Sequence, residues 1–69
     1  MEFTASRATR FLNTVLKDLK LKPGLLIAAI VRGEAVIIPN GDDMILAGDR
    51  VIVVARTLFL HDLNDILKG

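Results

Sequence analysis

Residues 25–56 read LLIAAIVRGEAVIIPNGDDMILAGDRVIVVAR, and the punctuation of this stretch decides the fold. Leu25 to Arg32 has the length and the Ile content of a strand. Gly33-Glu34 suits a two-residue hairpin loop, with glycine supplying the positive φ of a type II′ turn. Ala35 to Ile38 returns as the partner strand. Pro39 cannot donate to a ladder, so that strand ends there or lies at an edge. Asn40-Gly41-Asp42 is turn chemistry, and Leu46-Ala47-Gly48-Asp49 makes a second turn. Arg50 to Arg56 is another strand, apolar from Val51 to Ala55.

The strands 25–32 and 50–56 are apolar on consecutive residues, not alternate ones. Side chains alternate faces along a strand, so both faces of these strands are expected to be buried. The rest of the chain can cover one face. A second copy of the chain is the simplest cover for the other.

Outward from this centre, Glu2-Phe3-Thr4-Ala5 reads as a short strand, and Ser6 to Arg10 as polar and irregular. Phe11, Leu12, Val15, Leu16 and Leu19 recur at helical spacing. They predict a helix over Val15–Leu19 capped by Thr14, or one beginning nearer Thr9, stopped by Pro23-Gly24. After Thr57, the positions of Leu60, Leu63, Ile66 and Leu67 predict an amphipathic helix with Thr57 at its start and Gly69 past its end. Leu63 and Ile66 are its expected core residues. The expected fold class is α+β: a small, mainly antiparallel sheet with two helices.

The 69 residues make one domain or part of one. At this size only about 60% of the unfolded surface is buried on folding. The chain has no cysteine, so neither a disulfide nor a thiolate metal site can staple it. Yet 52% of its residues are hydrophobic and its mean hydropathy is +0.50. Either the core is unusually aliphatic or part of the apolar surface meets a partner. The longest apolar run, Leu25 to Val31, is far short of the ~20 residues of a spanning helix, so no direct membrane insertion is expected. Neither cysteine nor a basic-then-apolar signal pattern is present, which agrees with the cytosol.

Residues 1–32 carry six Lys/Arg and two Asp/Glu, a balance of +4; residues 33–69 carry three and six, a balance of −3. The basic half is compatible with an anionic partner, or with a solvated face that complements the acidic half across a subunit contact. Three Phe and no Trp or Tyr give single-stranded nucleic acid little to stack on.

Asp42, Asp43 and Asp49 form an acidic run. A calcium loop needs about six oxygen ligands, usually with acids at alternating positions. Met44-Ile45-Leu46 interrupts that spacing, so these aspartates read as turn-forming and solvated, with no metal ligands among them. His61, the only histidine, has no nucleophile or second acid–base group placed by the sequence to work with it and reads as a surface residue. GxGxxG and GxxxxGK are both absent. No catalytic residue is identified, and an enzyme is not expected. Arg32 ends an apolar strand beside Pro39-Asn40. An arginine next to an asparagine at an apolar rim can read a phosphate or carboxylate. Alternatively it reaches solvent or pairs with Glu34 across the turn.

Taken together, Ala29-Ile30-Val31-Arg32, Gly33, Pro39, Asp42-Asp43 and Gly48-Asp49-Arg50-Val51 resemble the TrkA C-terminal domain, also called RCK_C, in order and spacing. Thr14-Val15-Leu16-Lys17-Asp18-Leu19 is similar to the short helix of that family. The resemblance covers nearly the whole chain. It implies a single regulatory, dimerising domain, residues 1–69, excised from a longer TrkA-type protein of a potassium transport system. That protein would be cytoplasmic, held at the inner face of the membrane through a transporter subunit, and would couple ligand state to cation transport. NAD or ATP would belong to a preceding Rossmann half, so no cofactor is expected within this domain. Some members bind cyclic di-AMP in the cleft between two such domains. The matching positions are Ile30, Arg32, Ile38, Pro39 and Asn40: the isoleucines beside a base, Arg32 on a phosphate, Asn40 on a base edge or ribose. Two alternatives stand beside this one. One is a small nucleic-acid-binding or transcription-regulator domain, supported by the basic segment from Arg7 to Lys22. The other is a structural domain of a different transporter or antiporter with the same fold.

Overall fold

The computed structural model describes residues 1–56 and 59–68. Four strands form one antiparallel sheet: β1 (Glu2–Thr4), β2 (Leu25–Arg32), β3 (Ala35–Ile37) and β4 (Arg50–Ala55), in the spatial order β1-β4-β2-β3. The long strands β2 and β4 lie at the centre and the short ones at the edges. Pro39 follows β3, an edge strand that stops at Ile37, where its missing N–H breaks no ladder.

Arg32 pairs with Ala35, so Gly33-Glu34 is the two-residue loop of the β2–β3 hairpin. Within that loop only Gly33 has a positive φ, 59°. This is the requirement of a type II′ turn, whereas type I′ would need a positive φ at both positions. The turn before β4 closes with the Asp49 N–H donating to the Leu46 carbonyl at 3.1 Å, and Gly48 has a φ of 90°. A positive φ at the third turn position is the mark of type II and favours glycine.

A register shift between Ile27 and Ala29 resets the side-chain alternation of β2. The shift puts Ile27 and Ile30, three residues apart, on the same side as Val53 and Val51. These four are buried, and with Ala5, Phe11, Ile45, Leu60, Leu63 and Ile66 they form the core. The opposite side carries the cross-strand pairs Leu26–Val54, Ala29–Ile52 and Val31–Val36. There Leu26, Val36 and Val54 are 62%, 66% and 55% exposed, and Ile38, just past β3, is 77% exposed. The chain covers one face of its sheet and leaves the other bare.

Neither expected helix forms among the described residues; each is replaced by a short 3₁₀ turn, Leu16–Asp18 and Leu63–Ile66. In the first segment the backbone donors are claimed from outside. Asn13 donates to Ile45, Leu16 to Asp43 and Lys17 to Gly41, while Val15 bridges Met44. Asn13 itself is left-handed, with φ 62°, which no helix interior tolerates. Thr14 caps nothing: Val15 stands at the N-cap of the turn, with no side-chain cap. In the second segment Leu67 bridges Leu21, and Lys68 donates to the Lys20 carbonyl, so the chain leaves the turn to pair with residues 20–22. Thr57 and Gly69, the expected start and stop of this helix, lie outside the described residues. The turn is capped instead by Asp62, which accepts from the Asn64 N–H, with Asp65 reaching back as the second half of a capping box. The apolar spacing still reports burial correctly: Leu60, Leu63 and Ile66 are buried and Leu67 packs against them.

Candidate functional site

The antiparallel register places Val31 opposite Arg50. One residue further, Arg32 at the end of β2 faces Asp49, the residue just before β4. Both side chains follow the inward direction of Ile30 and Val51, so the two charges meet at the rim of the core. The Arg32 Nε–H donates to Asp49 Oδ1 at 2.9 Å and Nη2 donates to Oδ2 at 2.7 Å. Nη2 also donates to the Met44 carbonyl at 3.0 Å. Asp49 is only 1% exposed, and its Oδ2 accepts a further bond from the Leu46 N–H.

The guanidinium holds the Asp49 carboxyl below the usual carboxylate range, against the opposing pull of burial and with help from the Leu46 N–H. The same pair raises Arg32 above its ordinary value, and Asp43 adds to this from nearby. Asp49 is therefore not the solvated turn aspartate that its position in an acidic run suggests. It is a buried anion with a dedicated cation, and Arg32 pairs with it and not with Glu34. The register brings them together: antiparallel pairing of the Arg-ended β2 with the Asp-preceded β4 makes those two ends meet.

Asp43 links Arg32 to the next element. Its Oδ2 accepts from the Asn40 N–H at 2.8 Å, and Asn40 Oδ1 accepts from the Asp42 N–H at 2.9 Å. Lys17 meets Asp42 at 2.9 Å, but both side chains are largely exposed, and such pairs are worth little. Arg32, Asp43 and Asn40 thus share one end of the sheet. Pro39 is half-buried beside them. Ile38 is exposed, whereas Ile30 is fully buried in the core. Ile38 therefore lies on the bare face and Ile30 in the core, while Arg32 and Asn40 stand at the end of the sheet.

Among the described residues no group of three His, Cys, Asp or Glu side chains is gathered to hold a metal, and no buried side-chain nitrogen or oxygen lacks a partner. A shallow cleft of about 110 Å³ lies elsewhere, lined by Thr4, Ser6, Thr9, Asp62 and Asn64 among others. It is small against the several hundred Å³ of a typical ligand pocket. Its polar groups are occupied with one another: Thr9 Oγ1 accepts from the Ser6 N–H, and Asn64 bonds both Arg10 and Ala8. Among the described residues no helix is long and apolar enough to cross a membrane.

The fold agrees with what comparison to known proteins finds. A solved chain described as an RCK domain "with cda" superposes with a TM-score of 0.77 over 99% of this chain and 96% of its own, at 24% identity, a likeness of fold. The Trk system potassium uptake protein trkA homolog 1 of Methanosarcina mazei is 34% identical over 65 residues, 94% of this chain and 16% of that protein. The TrkA homolog of Archaeoglobus fulgidus is 39% identical over 62 residues, 90% of this chain and 14% of that protein. The chain therefore spans about a sixth of the curated relatives it matches. None of these likenesses supports the nucleic-acid alternative. The sequence profile of the TrkA-C domain matches residues 1–67, nearly the whole chain, and with these relatives it shows that the chain belongs to the TrkA-C domain family.

Proposed function

We propose that this chain is the dimerising regulatory unit of a longer TrkA-type protein and serves a potassium uptake system. In this reading it is cytoplasmic, reaches the inner face of the membrane only through a transporter subunit, and catalyses nothing. What carries the proposal is the profile match over residues 1–67, together with relatives named for potassium uptake. Nucleotide sensing through NAD or ATP would lie in a separate Rossmann half, because GxGxxG is absent here. The bare sheet face supports the dimer: a second copy related by a two-fold axis would present the same apolar patch to itself.

The small-molecule reading places an anionic ligand, cyclic di-AMP, in the cleft between two copies. Arg32 would meet a phosphate, Asn40 a base edge or ribose, and Ile38 with Pro39 the ring. Ile30 would support the strand from the core side. One detail changes from the sequence expectation. The forked Nε/Nη2 edge of Arg32 is occupied by Asp49, so a phosphate would use Nη1 and not two parallel bonds from that edge.

Two measurements test the proposal. Sedimentation should give a dimer at micromolar concentration, consistent with an interface of at least ~1,000 Å² in total. A folded monomer at high micromolar concentration would remove the dimer. Calorimetry with cyclic di-AMP should show binding to the wild type and its loss in Arg32→Ala. Heat from neither protein would remove the ligand and leave a dimerisation domain. Equal binding by both would keep the ligand and move it away from Arg32.

A further inference from the structure

We infer that the end of the sheet where β2 begins and β4 ends is a contact surface for anionic lipid headgroups. The inference goes beyond the regulatory reading above: a transporter subunit brings the domain to the membrane, and this end then rests on the bilayer surface. Backbone pairing gathers four cations there. Leu21 bridges Leu67, and Lys68 donates to the Lys20 carbonyl at 2.7 Å, so these two lysines stand directly opposite each other. Lys22 follows, its N–H on the Ile66 carbonyl at 2.9 Å, and the Arg56 N–H donates to the Gly24 carbonyl at 3.1 Å. Lys20, Arg56 and Lys68 are exposed and Lys22 is half-buried. Like charges directly across a strand pair repel. Yet among the described residues none of the four has a carboxylate within ion-pair distance; the ion pairs formed lie at Lys17, Arg32 and Arg50. Asp62 and Asp65, the acids of the neighbouring 3₁₀ turn and its cap, already accept the backbone N–H groups of Asn64, His61 and Asp62.

An aromatic ring stands at the same end. Phe59, just past β4, is 88% exposed. Its ring lies 6.3 Å from that of His61, centroid to centroid, and the His61 N–H donates to Asp65, next to the Ile66 carbonyl that holds Lys22. Leu60, between the two rings, is buried in the core, so the segment is anchored while Phe59 protrudes. A protruding apolar ring among cations suits the surface of a bilayer, with the ring at headgroup level and the cations on the phosphates. A peptide partner is received in a groove or along a strand edge, and the shallow cleft of this domain lies by Thr4 and Ser6. The opposite end of the sheet carries Glu34, Asp42 and Asp43, which an anionic surface repels. The two ends therefore set one orientation, cations toward lipid and the β2–β3 hairpin away from it. Each cation near such a surface raises affinity about fivefold, equivalent to about 1 kcal/mol, and the effect fades within a Debye length.

Co-sedimentation with vesicles tests this on the chain alone, apart from the transporter and from cyclic di-AMP. The chain should bind vesicles containing phosphatidylglycerol, ignore pure phosphatidylcholine, and lose the binding as salt rises from about 0.05 to about 0.5 M. Lys20→Gln combined with Lys68→Gln should lower the partition coefficient roughly twenty- to thirtyfold. It should not lower the melting temperature, because it removes a repulsion. Glu34→Gln, at the far end, should leave the partition nearly unchanged. The chain has no tryptophan, so Phe59→Trp places a single reporter at this end. Its emission should shift to the blue on phosphatidylglycerol vesicles and stay fixed with phosphatidylcholine. A wild type that ignores phosphatidylglycerol, equal binding to both lipids, equal partition of the wild type and the double lysine variant, or an unshifted reporter would each overturn the inference. Capture of poly-glutamate with no binding to vesicles would also overturn it and assign this end to an acidic protein.

Discussion

Arg32 and Asp49 are unequal partners, because the carboxylate is buried and the guanidinium half-exposed. Removing Arg32 strands an anion in the core rim, whereas removing the Asp49 charge frees a cation that can turn to water. Arg32→Ala should therefore lower the urea midpoint more than Asp49→Asn, an ordering that equilibrium melts would check. The pair also sets an acid limb. Asp49 and Asp65 both have folded-state values below those of an unfolded aspartate, Asp49 chiefly through Arg32 and Asp65 through the His61 and Asp62 N–H groups. An unfolded aspartate titrates near about 3.9. Above that value both states are ionised and the stabilisation is complete. As pH falls below it, the unfolded chain takes up protons first, and stability is lost until the folded values are passed. Melts from pH 7 to 2 should be flat at first and then fall below about pH 4, with a shallower fall in Asp49→Asn. In Arg32→Ala the sign reverses for Asp49, since burial without a cation favours the neutral acid. The gap between this variant and the wild type should therefore narrow in acid.

Elements here are held by packing and long-range pairing, not by their own regularity. The Leu63–Ile66 turn is four residues long, yet it contributes two buried side chains, Leu63 at 4% and Ile66 at 0% exposure. Truncating either to alanine should cost roughly 2–5 kcal/mol. Total stabilities of small domains run about 5–15 kcal/mol, so either change should lower the melting temperature markedly. Near-wild-type melting of Leu63→Ala would show that the C-terminal segment contributes little to the fold. That the side chains are buried without a helix has a local cause: Leu67 and Lys68 spend their backbone groups on Leu21 and Lys20.

For the molecule as a whole, the sheet has a finished face and an unfinished one. The core side is sealed by the segments before β2, between β3 and β4, and after β4. The other side shows Leu26, Val36 and Val54 at more than half exposure, in contiguous cross-strand positions. In the proposed dimer, a lysine on this apolar patch would hold two like charges away from solvent. Leu26→Lys or Val54→Lys should therefore yield a folded monomer by sedimentation, with the circular dichroism of the wild type. A variant that stayed dimeric would place the interface on another surface.

The sequence alone was enough for the sheet elements and for the family. Strands announce themselves through runs of Ile and Val between glycine, proline and aspartate, and Gly33, Pro39 and Gly48 act locally, through φ and a missing N–H, whatever surrounds them. The apolar spacing near both ends likewise marked the right side chains for burial. It could not say which backbone conformation would bury them. A recurrence of three to four residues fits a helix or a turn-rich cover, and short isolated helices are marginal in water. Partners 24 to 48 residues away, Gly41 to Ile45 in one case and Lys20 to Lys22 in the other, took the donors and acceptors a helix would have used. The partner of Arg32 was likewise a matter of register. Asp42, Asp43 and Asp49 look alike in the sequence, and only the antiparallel pairing of β2 with β4 carries Asp49 under the sheet end and leaves Asp42 in water.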